Sequence, residues 1–449
     1  MKNITAYFFT FFSGGNERMR LAKKNISASL LIKGFSILIG LVLIPMTINF
    51  VNPTQYGIWL TMNSIISWFS FFDIGLGNGL KNKLAEANAL KQYDKSAMYI
   101  STTYAALAII SAIVFIAFVI ANKFIDWSFI LNSPGANLGQ LTLILVGFFC
   151  IQFVAQLINT VLTASHEPAK VSLINLIGQF ISLIAIYELK IHTKGSLFSL
   201  VLALAGIPVL VLIISNFWFY NAGYKKIAPK FSAVKLKYAK ELLNTGGVFF
   251  IIQIGALILY QTDNIVITQL FGPQKVTVFN VAYKLFAVLI MSFNIILTPF
   301  WSAYTDAYVK KDFNWITEAF NKTKKIWIGF SIAGALIFIS SPIIYSVWLH
   351  GSVTVPVFVS FAMLLYTIGY NWMNVSCYLL NGLGKIRLQL YLYIFSIFFN
   401  IPLAIFFGKL IGIAGVSLSN VVIFIIMGTV LWIQCEKISK GTAVGIWNK

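Results

Sequence analysis

The sequence predicts an all-α integral membrane protein of about twelve transmembrane helices, arranged as two six-helix bundles related as a repeat. Three observations predict it. Only 10% of the 449 residues are charged and 59% are hydrophobic, whereas a soluble domain carries about 25% charged residues. The apolar residues come in runs of ~20, long enough for a helix to cross a hydrocarbon core ~30 Å thick. The basic residues collect on alternate connections between those runs. A soluble enzyme, a nucleic-acid-binding domain and a secreted disulfide scaffold are excluded.

The chain opens with a lead, residues 1–26. Its short apolar run Ala6–Phe12 cannot span a bilayer and has no small-residue cleavage site after it. Two readings stand for residues 1–18: an upstream mis-called start, or a loose interfacial tail. The stretch from Met19 (Met19-Arg-Leu-Ala-Lys-Lys) reads as the cytosolic lead of a first span. Apolar segments then fall at 27–51, 56–80, 98–121, 139–163, 171–189 and 196–219, a first bundle over 27–219. A lysine-rich connection, 220–241, follows. Segments at 242–270, 276–301, 326–349, 356–381, 389–408 and 411–434 make a second bundle over 242–434, before a tail, 435–449.

Charge sets the expected orientation. Of the 33 Lys and Arg residues, 26 lie in the lead, the tail and every second connection, and 5 in the alternate connections. Such asymmetry over short loops places both termini in the cytosol. Net charge of +20 is therefore first a topology signal and only then a sign of an anionic partner. Only Arg18, Arg20 and Arg387 are arginines; that bias reflects AT-rich coding. The connection 220–241 carries six lysines, Lys225, Lys226, Lys230, Lys235, Lys237 and Lys240, and is expected to lie on the anionic inner leaflet or simply to set topology. No outward connection has room for a catalytic domain.

Cys150, Cys377 and Cys435 sit far apart in or beside apolar segments and read as inert buried thiols. His166, His192 and His350 lack metal-ligand spacing. Gly75-x-Gly77-x-Gly79 has no strand–turn–helix setting, so close helix packing is its better reading than nucleotide binding. No metal, cofactor or nucleic acid is expected.

The repeat shows first in Asn52-Pro53 and Gly272-Pro273, 220 residues apart. Gln152, Gln156, Asn159 and Thr163 share one face of the fourth segment; Tyr366, Tyr370, Asn374 and Asn381 form a comparable stripe on the tenth. Six-helix repeats are a transporter architecture with the substrate path between the halves. Polar groups in a bilayer are costly and usually face a cavity. Ser29, Lys33, Ser36, Gly40 and Thr47 share a face of the first segment, and Asn280, Lys284, Met291, Asn294 and Thr298 a face of the eighth. Lys33 and Lys284 are either cavity charges or snorkelling anchors. Gln253, Tyr260 and Asn264 line one stripe of the seventh segment. Asp263, beside it, is a coupling or gating carboxylate, or the partner of a lysine such as Lys284. Asp73 caps a helix, contacts a gate, or couples to an ion.

These residues lie within a resemblance. Tyr56-Gly-Ile-Trp59 running to Phe72-Asp73-Ile-Gly75-Leu-Gly77-Asn-Gly79 resembles the second helix of polysaccharide-unit (O-antigen, Wzx-type) flippases. So do Tyr260-Gln-Thr-Asp263-Asn-Ile-Val-Ile267 and Val278-Phe-Asn-Val-Ala-Tyr283-Lys284, and Asn381-Gly382-Leu-Gly384-Lys385 is similar to that family's turn before the eleventh helix. The resemblance implies the multidrug/oligosaccharidyl-lipid/polysaccharide exporter fold and no enzymatic activity. It implies a flippase that moves undecaprenyl-pyrophosphate-linked oligosaccharide units from the inner to the outer leaflet by alternating access, coupled to an H+ or Na+ gradient. Lys33, Lys284, Gln253, Tyr260, Asn264, Asn159 and Asn374 would line the substrate cavity, with Asp263 and Asp73 for coupling or gating. The implied partners are the lipid-linked substrate, membrane lipids and the polysaccharide polymerase machinery. Two alternatives stay open: a multidrug/cation antiporter of the same superfamily, and a membrane glycosyltransferase or polymerase acting on a lipid carrier. Two intramembrane lysines count against the first, and the short outward connections against the second.

Overall fold

In lipid a backbone can satisfy its own amides only as a helix or a closed barrel, and this chain takes the helical solution. The computed structural model describes residues 17–73, 75–134, 138–165, 167–235 and 237–448; residues 1–16 and His166 lie outside them. In chain order the helices are α1 Glu17–Val51, α2 Pro53–Ser67, α3 Leu76–Ala89, α4 Tyr93–Ala121, α5 Trp127–Ile130, α6 Gly139–Ala155, α7 Leu157–Ala164, α8 Pro168–His192, α9 Leu197–Val201 and α10 Ile207–Asn221. They continue as α11 Lys237–Phe271, α12 Pro273–Val309, α13 Phe313–Leu349, α14 Val357–Leu383, α15 Arg387–Ile411 and α16 Ile413–Ser439. Among the described residues there is no strand. Nine spans there are long and apolar enough to cross a membrane.

The repeat is written into the helix starts. Pro53 and Pro273, and Tyr93 and Phe313, each begin helices 220 residues apart. The later pairs, Gly139 with Val357, Pro168 with Arg387 and Leu197 with Ile413, are separated by 218, 219 and 216. Local chemistry repeats with the spacing. Asn52 (φ 105°) and Gly272 (φ 84°) both turn the chain through positive φ directly before a proline at the first helical position, where its missing N–H costs nothing. Asn52 adds a side-chain cap, accepting from the Gln55 amide at 2.9 Å.

Several helices depart from the apolar segments. The unbroken second span expected over 56–80 is interrupted. After Ser67 the chain tightens into a 3₁₀ turn, Trp68–Asp73, and restarts as α3 from Gly75 at φ 83°. Asp73 Oδ1 accepts the Gly77 amide at 3.0 Å, so the carboxylate serves the restarted helix as a cap. The fourth segment also breaks, at Gln156 between α6 and α7. There Asn216 Nδ2 donates to the freed Ala155 carbonyl at 2.8 Å. A π-helical turn, Leu202–Gly206, joins α9 to α10.

The described chain forms two compact units. One holds residues up to 50, 69–125 and 138–250; the other holds 51–68, 126–137 and 251–449. The first unit packs α3, α4, α6, α7, α8 and α10 around Leu80, Leu84, Ile100, Ile158 and Leu162. The second packs α12, α14, α15 and α16 around Phe293, Leu297, Leu380, Phe424 and Met427. Outward faces are apolar as well. Ile328, Ile332, Leu336, Ile339, Ile343 and Val347 form an exposed ridge along α13, a surface that water would disfavour and acyl chains accept. Cys150, Cys377 and Cys435 are free and buried.

Within the second unit, α2 lies directly on α12. A Cβ added to Gly57 would sit 1.7 Å from the Pro273 carbonyl oxygen, so the two backbones touch only because that position has no side chain. Thr277 Oγ1 donates to the Pro53 carbonyl at 2.6 Å beside it. Gly57→Ala is expected to cost about 1–3 kcal/mol through forced separation, read as a lower melting temperature in detergent. Gly34→Ala, where a Cβ meets nothing within 4 Å, is the matched control. Equal melting of both variants would contradict the backbone contact.

Candidate functional site

The polar side chains of the second unit gather on α11. Thr262 and Asp263 are buried there, at 2% and 5% exposure, and meet Asn400 of α15 and Asn420 of α16, both fully buried. The groups form a chain. Asn420 Nδ2 donates to Asp263 Oδ2 at 2.7 Å, Asn400 Nδ2 donates to Asn420 Oδ1 at 2.7 Å, and the Thr262 hydroxyl lies 2.8 Å from Asn400 Oδ1. Asp263 Oδ1 is buried without a hydrogen bond. An ionised carboxylate with one bare oxygen in such an interior costs several kcal/mol. Its charge therefore calls for a proton or a small cation, with amide and hydroxyl oxygens close at hand. The alternative reading, a pair with Lys284, is not what the described contacts show. The partner of Asp263 is Asn420, while Lys284 is exposed on α12. A helical asparagine reaches the carboxylate from inside the unit, where a long lysine instead extends outward.

A second polar seam runs where α2, α11 and α12 meet. Asn264 Nδ2 donates to Ser64 Oγ at 2.8 Å, and Asn280 Nδ2 donates to Asn264 Oδ1 at 2.7 Å. The hydroxyls of Thr61 and Thr268 lie 2.6 Å apart. Asn264 is thus engaged on both sides of its amide. Tyr366 is stacked on Tyr370 and meets Tyr283 edge-on at 6.0 Å. Asn374, half-buried on α14, donates to the Tyr370 carbonyl at 2.9 Å. The side chains of Gln253 and Tyr260 lie outside the described residues.

The first unit holds the remaining candidates. Lys33 is exposed on α1, one turn beyond Ser29, whose hydroxyl is 3.3 Å from that of Ser172 on α8. Asn159 lies just past the break at Gln156, with its side-chain oxygen buried and unbonded. Nearby, Tyr104 OH donates to Asn216 Oδ1 at 2.6 Å and Tyr220 OH donates to Tyr104 OH at 3.3 Å. His192 pairs with Glu188 at 3.3 Å on an exposed helix end, and no metal-ligand group occurs among the described residues. Sequence reasoning missed Asn400, Asn420 and Asn216. Each is a lone amide in an apolar run, and its cost in a bilayer is the signal that marks it.

The all-helical fold is the one seen in solved MATE family transporters. The chain superposes with a TM-score of 0.71 on the inward-facing conformation of a multidrug resistance MATE family transporter of the MOP superfamily, at 15% identity over 94% of this chain and 100% of that one. The outward-facing conformation of a MATE family transporter gives 0.66, at 15% identity over 94% and 96%. At that identity the likeness establishes the fold. The chain belongs to the polysaccharide biosynthesis protein family, which it matches over residues 22–305, and residues 249–406 also match the MatE family. A Salmonella typhi protein provisionally named O-antigen transporter is 25% identical over 279 residues, spanning 61% of this chain and 62% of the relative. A Yersinia pseudotuberculosis protein provisionally named O-antigen export protein is 20% identical over 372 residues, 78% and 81% of the two chains.

The Asp263 cluster gives a stability prediction. Asn420→Ala strips the hydrogen bond from Asp263 Oδ2 and should cost about 1–3 kcal/mol, seen as a lower melting temperature in detergent. The same change in an Asp263→Asn background should cost markedly less, because no charge is left bare. Equal losses in both backgrounds would show that Asn420 acts by packing alone.

Proposed function

We propose that the chain is a non-enzymatic flippase of the bacterial plasma membrane, with both termini cytosolic. It moves undecaprenyl-pyrophosphate-linked oligosaccharide units from the inner to the outer leaflet. The observation that carries this reading is the family match over residues 22–305; the names of the Salmonella and Yersinia relatives point the same way. The chemistry of the chain suits such a cargo. A pyrophosphate is costly to bring into a low-dielectric path, and Lys33 and Lys284, exposed on α1 and α12, are cations suited to meet it. Asn159 and Asn374, with Gln253 and Tyr260, offer hydrogen bonds to sugars. The prenyl tail stays in lipid. Association with polysaccharide polymerase machinery follows from the product, which a polymerase consumes.

In this reading transport proceeds by alternating access, and Asp263 is the coupling group. The buried carboxyl with its bare oxygen binds H+ or Na+, and Thr262, Asn400 and Asn420 supply neutral oxygens around it. Asp73, capping α3 beside the helix break, fixes the geometry of a gate.

The reading is tested in proteoliposomes with a fluorescent, glycan-defined lipid-linked oligosaccharide and matched protein amounts. Lys33→Ala and Lys284→Ala should each weaken substrate affinity roughly five- to 150-fold, the equivalent of about 1–3 kcal/mol for a lost charged contact. Lys→Arg should keep part of the activity because the charge survives. Wild-type flipping by both alanine variants would reduce the lysines to snorkelling anchors. Asp263→Asn should change the dependence on pH or sodium gradient more than the affinity. A change in glycan length during the assay, or transport of organic cations in place of the glycolipid, would overturn the flippase reading.

In this reading the α2 seam also opens at one stage of the cycle. The hydroxyls of Thr61 and Thr268 are close enough for a disulfide after Thr61→Cys/Thr268→Cys. Oxidation of that variant should stop flipping, and reduction should restore it. Undiminished flipping by the crosslinked protein would contradict a moving seam.

A further inference from the structure

We propose that the trough beside the first turn of α4 is a binding site for the phosphorylated headgroup of a membrane lipid. Two cavities of about 610 and 550 Å³ adjoin there, sharing Tyr93 and Lys226 in their walls. Lys91, Lys95, Lys225 and Lys226 line them, against a single carboxylate, Asp94. None of these four lysines forms an ion pair among the described residues. Four ammonium groups around one open trough, with one carboxylate to answer them, leave a standing demand for an anion.

The lysines are held in place, which separates this trough from an ordinary solvated loop. The connection between α10 and α11 is strapped across α4. Lys230 N donates to Ser101 Oγ at 2.9 Å and Lys235 N donates to Thr102 Oγ1 at 3.0 Å, and both hydroxyls belong to buried residues of α4. Ile227, the last residue of the 3₁₀ turn that carries Lys225 and Lys226, is buried at 5%. Aromatic rings complete the frame. Tyr238 meets Tyr99 edge-on at 5.3 Å, Lys226 lies over Tyr93 at 5.5 Å, and Lys95 lies over Tyr99 at 5.8 Å. A backbone tied down at two buried hydroxyls fixes the spacing of the charges it bears.

Position selects the source of the anion. α4 is one of the helices long and apolar enough to cross a membrane, and the trough sits at its first turn, the depth at which headgroups lie. Phe231, on the same strap, is fully exposed, a ring suited to the acyl boundary next to a ring of lysines. A phosphate ester whose lipid tail lies beside that ring satisfies both features. Two lipids share this chemistry: an anionic phospholipid and a polyprenyl diphosphate. The inference stands apart from the flippase reading, since it is tested without transport.

The test uses the full chain in neutral mixed micelles with fluorescent phosphatidylglycerol, and separately with fluorescent undecaprenyl diphosphate. Binding should saturate, and Lys91→Gln/Lys226→Gln should weaken it about thirtyfold. Lys226→Arg should bind close to wild type. Lys190→Gln/Lys194→Gln removes the same charge at exposed positions beyond the trough and should change little. Tighter diphosphate binding would name the carrier lipid as occupant, and equal binding the bulk phospholipid; each supports the site. Equal loss in the trough and control variants would overturn it as diffuse charge. Binding of inorganic pyrophosphate with no binding of either lipid would overturn it as a site for soluble phosphate.

Discussion

Everything in this fold depends on the absence of water from the bilayer core, which obliges each polar group to find its partner inside the protein. The constraint is most visible where helices fail. At the 3₁₀ turn before α3, Asp73 takes up the Gly77 amide. At the break between α6 and α7, Asn216 reaches across from α10 to the Ala155 carbonyl. Both of these interruptions thus have an assigned side chain. The apolar ridge along α13 is the other face of the same constraint: what cannot be paired is left as hydrocarbon.

The same constraint gives meaning to groups that escape it. Asp263 has one oxygen paired and one bare in a buried setting, a state that becomes tolerable only when a positive charge joins it. Lys33 and Lys284 are exposed instead, and so remain available to an anion. The buried acid and the exposed bases thus answer the same constraint in opposite ways.

Much of this was legible in the amino-acid sequence. Hydropathy and the spread of lysines carry the all-helical membrane class, and Pro53 and Pro273 mark a repeat whose later helix starts drift by a few residues from that 220-residue spacing. The interruptions were less legible. Apolar content stays high through Trp68–Phe72, and hydropathy has no way to record a change from α to 3₁₀ hydrogen bonding; only Gly75, with Asp73 two residues before it, hints at a restart. The partner of Asp263 was hidden for a different reason. Asn400 and Asn420 lie 137 and 157 positions away, and which helices adjoin α11 is a matter of packing that no local pattern contains. Lys284 offers an opposite charge on the next helix, yet burial favours a short amide that can be enclosed completely.

The seat of α2 has a consequence for biogenesis. Its polar face, with Thr61 and Ser64, is answered by Thr268 and Asn264, which leave the ribosome about 200 residues later. At ordinary rates of synthesis, about 5–20 residues per second, α2 waits roughly 10–40 s before its partners exist. During that interval its hydroxyls face lipid, or whatever insertion machinery shelters them. A nascent chain of this kind cannot mature segment by segment from its beginning. One early helix stays unfinished until the second copy of the repeat arrives to complete it.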